Sequence, residues 1–208
     1  SVSATTVPSA PVERIEPLLR PNTRLIFLES PGSNTFEIQD IREIVQLARE
    51  RDIVTVFDNT WATPLYLAPL EIGVDLSIQS VTKYISGHSD VLMGAVTVNE
   101  RYSGAIADFY RTMEIFCSPQ ESYLALRGLQ TLEVRLRQHE QAALELAGWL
   151  RTRDEVELVL HPALQEHPQH ALWKRDFKGS SGLFAIALRK TFSEKQVAQF
   201  VDALELFG

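Results

Sequence analysis

Residues Leu25 to Asp58 read LIFLESPGSNTFEIQDIREIVQLARERDIVTVFD, and the architecture turns on this stretch. Leu25-Ile26-Phe27-Leu28 is an unbroken apolar run between Pro21-Asn22 and Ser30-Pro31-Gly32-Ser33, which reads as a buried strand stopped by turn chemistry at both ends. From Ile38 to Arg51 the period changes. Ile38, Ile41, Ile44, Val45, Leu47 and Ala48 recur at helical spacing and predict a helix with one apolar face. Ile53-Val54-Thr55-Val56-Phe57 is then a second β-branched run, ending at Asp58. Strand, helix, strand in under forty residues is the unit of a parallel sheet.

The same grammar continues outward. Leu76 to Val81 and Gly94 to Val98 predict a third and a fourth strand. Ser118-Pro119-Gln120-Glu121 combines an N-cap serine, a first-turn proline and a glutamate three residues after the cap. It opens a helical region expected to run to about Arg153, interrupted near Gly128. Val156 to Leu160 and Leu183 to Leu188 read as strands of a second unit, and Ser193-Glu194-Lys195-Gln196 opens a last helix with another capping box. The expected fold is α/β, a mostly parallel sheet flanked by helices over residues 1–153, followed by the start of a smaller α+β unit over residues 154–208.

Three polar clusters fall at predicted strand ends: Glu29 to Asn34, Asp58-Asn59-Thr60-Trp61, and Ser80-Val81-Thr82-Lys83. Open α/β sheets bind ligands outside the carboxyl ends of their strands, so the three are expected to converge. An amine, a carboxylate and hydroxyls together suit pyridoxal phosphate. Its aldehyde condenses with a lysine, its ring nitrogen stays protonated beside a carboxylate, and its phosphate takes hydroxyl and amide donors. Each residue alone has a plainer reading. Asp58 can cap a turn, Ser80 and Thr82 can satisfy local backbone, and Lys83 can be a solvated loop residue.

Other chemistries find less support. No G-x-x-x-x-G-K-[ST] and no G-x-G-x-x-G occurs. His88-Ser89-Asp90 cannot form a hydrolytic relay by themselves, because consecutive side chains diverge. Glu29, Asp58, His88 and Asp90 could be offered to a metal, but no helix-spaced histidine pair backs them, and no metal is expected. Cys117 is the only cysteine in 208 residues, which excludes an intramolecular disulfide and a zinc-cysteine cluster and fits a reducing, cytoplasmic setting. A net charge of −7 without basic runs argues against nucleic acid. No apolar run approaches the roughly 18 residues of a membrane span. Neither SVSATTVPSAP at the start nor ALELFG at the finish reads as a natural terminus, so both ends are expected to be cut.

The string VFDNTWATPLYLAPLEIGVDLSIQSVTKYISGHSDVLMG, Val56 to Gly94, strongly resembles the lysine-bearing segment of the Cys/Met-metabolism pyridoxal-phosphate enzymes. FLESPGSNTFEI, RGLQTLEVRLRQH and WKRDFKGSSGLF extend the resemblance through nearly the whole chain. Within that family the bacterial cystathionine β-lyase branch is most similar, on Glu29-Ser30-Pro31-Gly32-Ser33, on Trp61 and on the WKRDF…GSSGLF string.

The resemblance implies an aspartate-aminotransferase-like (fold type I) domain with pyridoxal 5'-phosphate as cofactor. It implies Lys83 as the Schiff-base lysine, Asp58 as the partner of the pyridine nitrogen, and Ser80 and Thr82 as hydroxyls on the phosphate. Ser33 stands where many relatives carry an asparagine. The reaction implied is β-elimination of cystathionine, a small sulfur-containing amino acid, in a homo-oligomer of the tetramer-of-dimers type. Other family reactions, or a cofactor-binding piece without activity, remain open. The phosphate loop and a ring-stacking tyrosine are expected before residue 1, and the substrate-carboxylate arginine beyond residue 208.

Overall fold

The computed structural model describes residues 15–206. After a short 3-10 turn at Glu16–Leu18 the elements run β1 (Leu25–Glu29), α1 (Ile41–Glu50), β2 (Val54–Asp58), α2 (Thr63–Tyr66), α3 (Pro69–Ile72), β3 (Leu76–Ser80) and β4 (Gly94–Val98). They continue with α4 (Glu100–Thr112), α5 (Pro119–Leu129), α6 (Leu132–Leu150), β5 (Val156–Leu160), α7 (His170–Asp176), β6 (Ala185–Leu188) and α8 (Glu194–Asp202). One sheet has the order β1-β2-β3-β4 and a second pairs β5 with β6. β1, β2 and β3 are mutually parallel, whereas β4 returns antiparallel to β3 and β6 antiparallel to β5.

The expected α/β architecture is present, and its boundaries shift for local reasons. α1 begins at Ile41 rather than Ile38, because the Asp40 side chain accepts from the Glu43 amide and caps the helix there. Ile38 stays buried but outside the helix. Ile53 is not yet strand: its amide donates to the Ala48 carbonyl and finishes the helix. The break expected near Gly128 is present at Gln130–Thr131, with Gly128 itself still helical. β6 starts at Ala185 rather than Leu183, because the Leu183 carbonyl is taken by the Trp61 indole N–H at 2.9 Å, away from β5. Both capping boxes, at Ser118 and Ser193, form as read.

The core lies between α1 and the sheet, where Leu28, Ile41, Ile44, Phe57, Leu67 and Val74 are buried together. Fully enclosed, Ile41 and Ile44 each contribute about 1.5–3 kcal/mol by burial. Phe177, just after α7, joins this core and meets Trp61 edge-on at 6.0 Å. Charge holds α7 in place. Arg175 grips Asp40 with two hydrogen bonds of 2.8 and 3.0 Å, and the buried Asp176 carboxylate takes Arg42 at 2.7 Å. The guanidinium of Arg175 holds the Asp40 carboxyl below the usual carboxylate range. The second unit is thereby anchored to the cap of α1.

Candidate active site

Parallel pairing sets the carboxyl ends of β1, β2 and β3 side by side, with Glu29 opposite Asp58 and Asp58 opposite Ile78. The three polar clusters therefore open at one end of the sheet. In the first, the Ser33 hydroxyl donates to Glu29 Oε1 at 2.5 Å.

In the second, Asp58 Oδ1 accepts from the Thr60 amide at 2.9 Å, so the turn-capping role is real. It uses one oxygen; Oδ2 has no hydrogen-bond partner among the described residues. The turn is pinned to β3 on both sides. Asn59 donates its amide to the Ile78 carbonyl at 2.9 Å, and the Ser80 amide donates to the Thr60 hydroxyl at 2.8 Å. Gln79 adds its side-chain amide to the Asn59 carbonyl at 2.9 Å. Asp58 is held by geometry that a neighbouring strand supplies.

Lys83 sits in the turn that follows β3. Its amide donates to the Ser80 carbonyl at 3.1 Å and its carbonyl accepts from Gly87 at 2.8 Å. The backbone is fixed while the side chain is exposed, and no ion pair joins its ammonium to Asp58 or to any other described residue. The two flanking hydroxyls differ. Thr82 is committed to Met93, accepting from its amide at 3.0 Å and donating to its carbonyl at 3.3 Å. The Ser80 hydroxyl is half-buried without a partner among the described residues. His88 spends Nδ1 on the Ser86 carbonyl at 2.6 Å. Among the described residues no His, Cys, Asp and Glu gather as a metal set. Cys117 is exposed.

Two supports escaped the sequence reading. Arg135 on α6 reaches across to the Lys83 turn, donating to the Tyr84 carbonyl at 2.8 Å and the Ile85 carbonyl at 3.3 Å. The second is Glu140, also on α6. Its Oε1 accepts from the Ser180 amide at 2.8 Å, and its Oε2 from the Tyr66 hydroxyl at 2.9 Å. Burial, and then this bond to a carboxylate, push the Tyr66 phenol up to about 12. The loop it latches, residues 178–183, also gives its Gly182 amide to the Tyr84 hydroxyl at 3.1 Å. The second unit thus touches both the Asp58 turn, through Trp61, and the Lys83 turn, through Tyr84. Glycines were the available signal: a Cβ on Gly179 would lie 2.7 Å from the Tyr66 ring, and one on Gly182 would lie 3.1 Å from His139 Cβ.

This is the fold of the fold-type I pyridoxal-phosphate enzymes. The crystal structure of cystathionine gamma synthase from Xanthomonas oryzae pv. oryzae, in complex with aminoacrylate and cysteine, matches it with a TM-score of 0.89 at 34 % identity. The match covers 96 % of this chain and 51 % of that one. The family described as Cys/Met metabolism PLP-dependent enzyme matches residues 1–208, and the chain belongs to that family, whose cofactor is pyridoxal phosphate. Cystathionine beta-lyase MetC of Escherichia coli is 42 % identical over 192 residues, 91 % of this chain and 49 % of its own. L-alanine/L-glutamate racemase of Wolbachia pipientis wMel is 45 % identical over 198 residues, 95 % and 49 %. The chain spans about half the length of the curated relatives it matches. No helix among the described residues is long and apolar enough to cross a membrane.

Proposed function

We propose that the protein is a pyridoxal-phosphate-dependent carbon–sulfur lyase that takes cystathionine, with water, to homocysteine, pyruvate and ammonia. The observation that carries the cofactor chemistry is the placement of Asp58 at the end of β2 and of Lys83 in the turn that follows the adjacent β3, in a chain of this family; the 42 % identity to cystathionine beta-lyase MetC of Escherichia coli favours β-elimination of cystathionine. When bound, the cofactor supplies an aldehyde for amines and a pyridinium that draws electrons from the Cα–H bond.

The donor set suits that group. Among the described residues Lys83 has an amine free of ion pairs, Asp58 one carboxylate oxygen without a partner, and Ser80 an unclaimed hydroxyl. Lys83 would hold the cofactor through its amine and would serve as the base for the substrate's Cα proton. Asp58 would hold the pyridine ring through its second carboxylate oxygen and would favour the ring's charged form. Ser80 would hold the phosphate through its hydroxyl. Thr82 would donate to it only by releasing its long bond to Met93. Residues 1–153 form part of the cofactor domain, residues 154–208 open the second domain, and the complete protein works as a homo-oligomer.

The test uses the complete protein. Lys83→Ala is expected to lose both the cofactor's visible absorbance and turnover, and turnover near the wild-type rate refutes the lysine's role. Products then identify the reaction. Pyruvate with homocysteine marks the β-lyase, and α-ketobutyrate with cysteine a γ-lyase. The 45 % identity to the racemase gives a second reading, amino-acid racemisation, for which D-alanine or D-glutamate is the product to seek.

A further inference from the structure

We infer that Arg135 is a positioning residue for Lys83, holding the backbone of the turn from which the lysine side chain springs. The inference rests on the reading of Lys83 as the reactive amine. A lysine has a flexible four-carbon stem, so its amine is placed reproducibly only if its Cα is. The Lys83 turn makes local bonds through the amides of Lys83, Ser86 and Gly87. The carbonyls of Tyr84 and Ile85 instead face α6, where one guanidinium takes both. Nη1 takes Tyr84 and Nη2 takes Ile85; Nη2 also donates to the Gly128 carbonyl at 2.7 Å, and Nε donates to the Thr131 hydroxyl at 3.1 Å. One rigid fork therefore ties the Lys83 turn to the end of α5 and to the joint between α5 and α6.

Three further observations set this contact apart from a surface arginine. No carboxylate pairs with Arg135 among the described residues, so its charge rests on carbonyl dipoles. Such an unpaired, partly buried cation costs stability relative to an apolar group, and burial depresses its pKa. The chain also gives up side chains to admit it. Gly87 has φ of +73°, and a Cβ there would lie 2.2 Å from Arg135 Nη1. A Cβ on Gly128 would lie 2.3 Å from the Ser86 carbonyl oxygen. Close approach of helix and turn is thus built in from both sides, with the guanidinium as the part that fixes the register.

The experiment compares Arg135→Ala and Arg135→Lys with wild type in the complete, cofactor-loaded protein, with L-cystathionine as substrate. Arg135→Ala is expected to lower kcat on the order of 100-fold with KM little changed, because the amine is misplaced rather than removed. Arg135→Lys keeps the charge but lacks the fork, and is expected to recover about a tenth of the wild-type rate. In cofactor-free protein, hydrogen exchange at the Ser86 and Gly87 amides should accelerate in both variants while the amides of β1 and β2 stay protected.

The inference is overturned if both variants keep kcat within about twofold of wild type. It is equally overturned if exchange rises evenly across the molecule, which is simple destabilisation. Should Arg135→Ala fail to fold, Arg135→Lys decides. If Lys83→Ala is active, the catalytic reading fails instead, and the exchange pattern at Ser86 and Gly87 still reports whether Arg135 holds the turn.

Discussion

Acidification should cost this protein stability at one buried imidazole. His161, after β5, is 0 % exposed, and its ring lies 5.5 Å from that of Phe184. Nδ1 accepts from the Ala163 amide at 3.2 Å, while Nε2 has no partner among the described residues. Protonation would place a charge in this enclosure and break the bond to Ala163. Burial accordingly lowers the His161 pKa from 6.5 to about 4, with Glu140 opposing the shift and His167 adding to it. The unfolded chain takes up a proton near 6.5 and the folded chain only near 4. Between these values the unfolded state binds more protons, so stability falls as the pH drops through the window. Worked from the two pKa values, the loss between about pH 7 and about pH 5 is on the order of 2 kcal/mol. His161→Asn keeps an acceptor for Ala163 and cannot titrate. Urea unfolding of both proteins at the two pH values should show the wild type losing about 2 kcal/mol more than the variant. An imidazole NMR titration midpoint near 6.5, or equal losses in the two proteins, would refute the reasoning.

The remaining predictions concern the site. In Gly128→Ala the new methyl meets the carbonyl oxygens of Ser86 at 2.3 Å and Ile85 at 2.5 Å, which are backbone and cannot swing aside. A loss of about 1–3 kcal/mol is expected, read as a melting temperature lower by several degrees; an unchanged melt means that α5 does not approach the turn so closely. Asp58→Asn keeps an acceptor for the Thr60 amide, so folding should be retained. Turnover should fall on the order of 100-fold or more as the carboxylate's electrostatic support is lost, and normal turnover would remove Asp58 from its proposed role.

Where an element depends on neighbours in the chain, the sequence was enough to place it. β4 and β5 have the expected bounds, and the helices after Ser118 and Ser193 start at their capping boxes, because strand patterning and capping act within a few residues. The convergence of Glu29, Asp58 and Ser80 also followed from local signals plus one general rule, that parallel strands end together. α4 was not foreseen, although Asn99 caps it on the Tyr102 amide and Tyr102, Ile106, Phe109 and Met113 recur at helical spacing; none of its residues is buried. α7 was missed for a different reason. It is short and polar, and its anchors are Asp40 and Arg42, more than 130 residues earlier.

The amino-acid order by itself determined the alternation of strands and helices, the three polar strand ends and the family, since each is carried by contiguous residues. Only the tertiary structure decided that Thr82 is spent on Met93 while Ser80 is not, that Arg135 grips the Lys83 turn, and that Glu140 latches the 178–183 loop. Those outcomes depend on which carbonyls and amides lie within about 3 Å once helices and sheet have packed. Hydrogen bonds are short-ranged in space but indifferent to separation along the chain. A pattern of spacings marks the side chains able to bond, and the packed fold selects their partners.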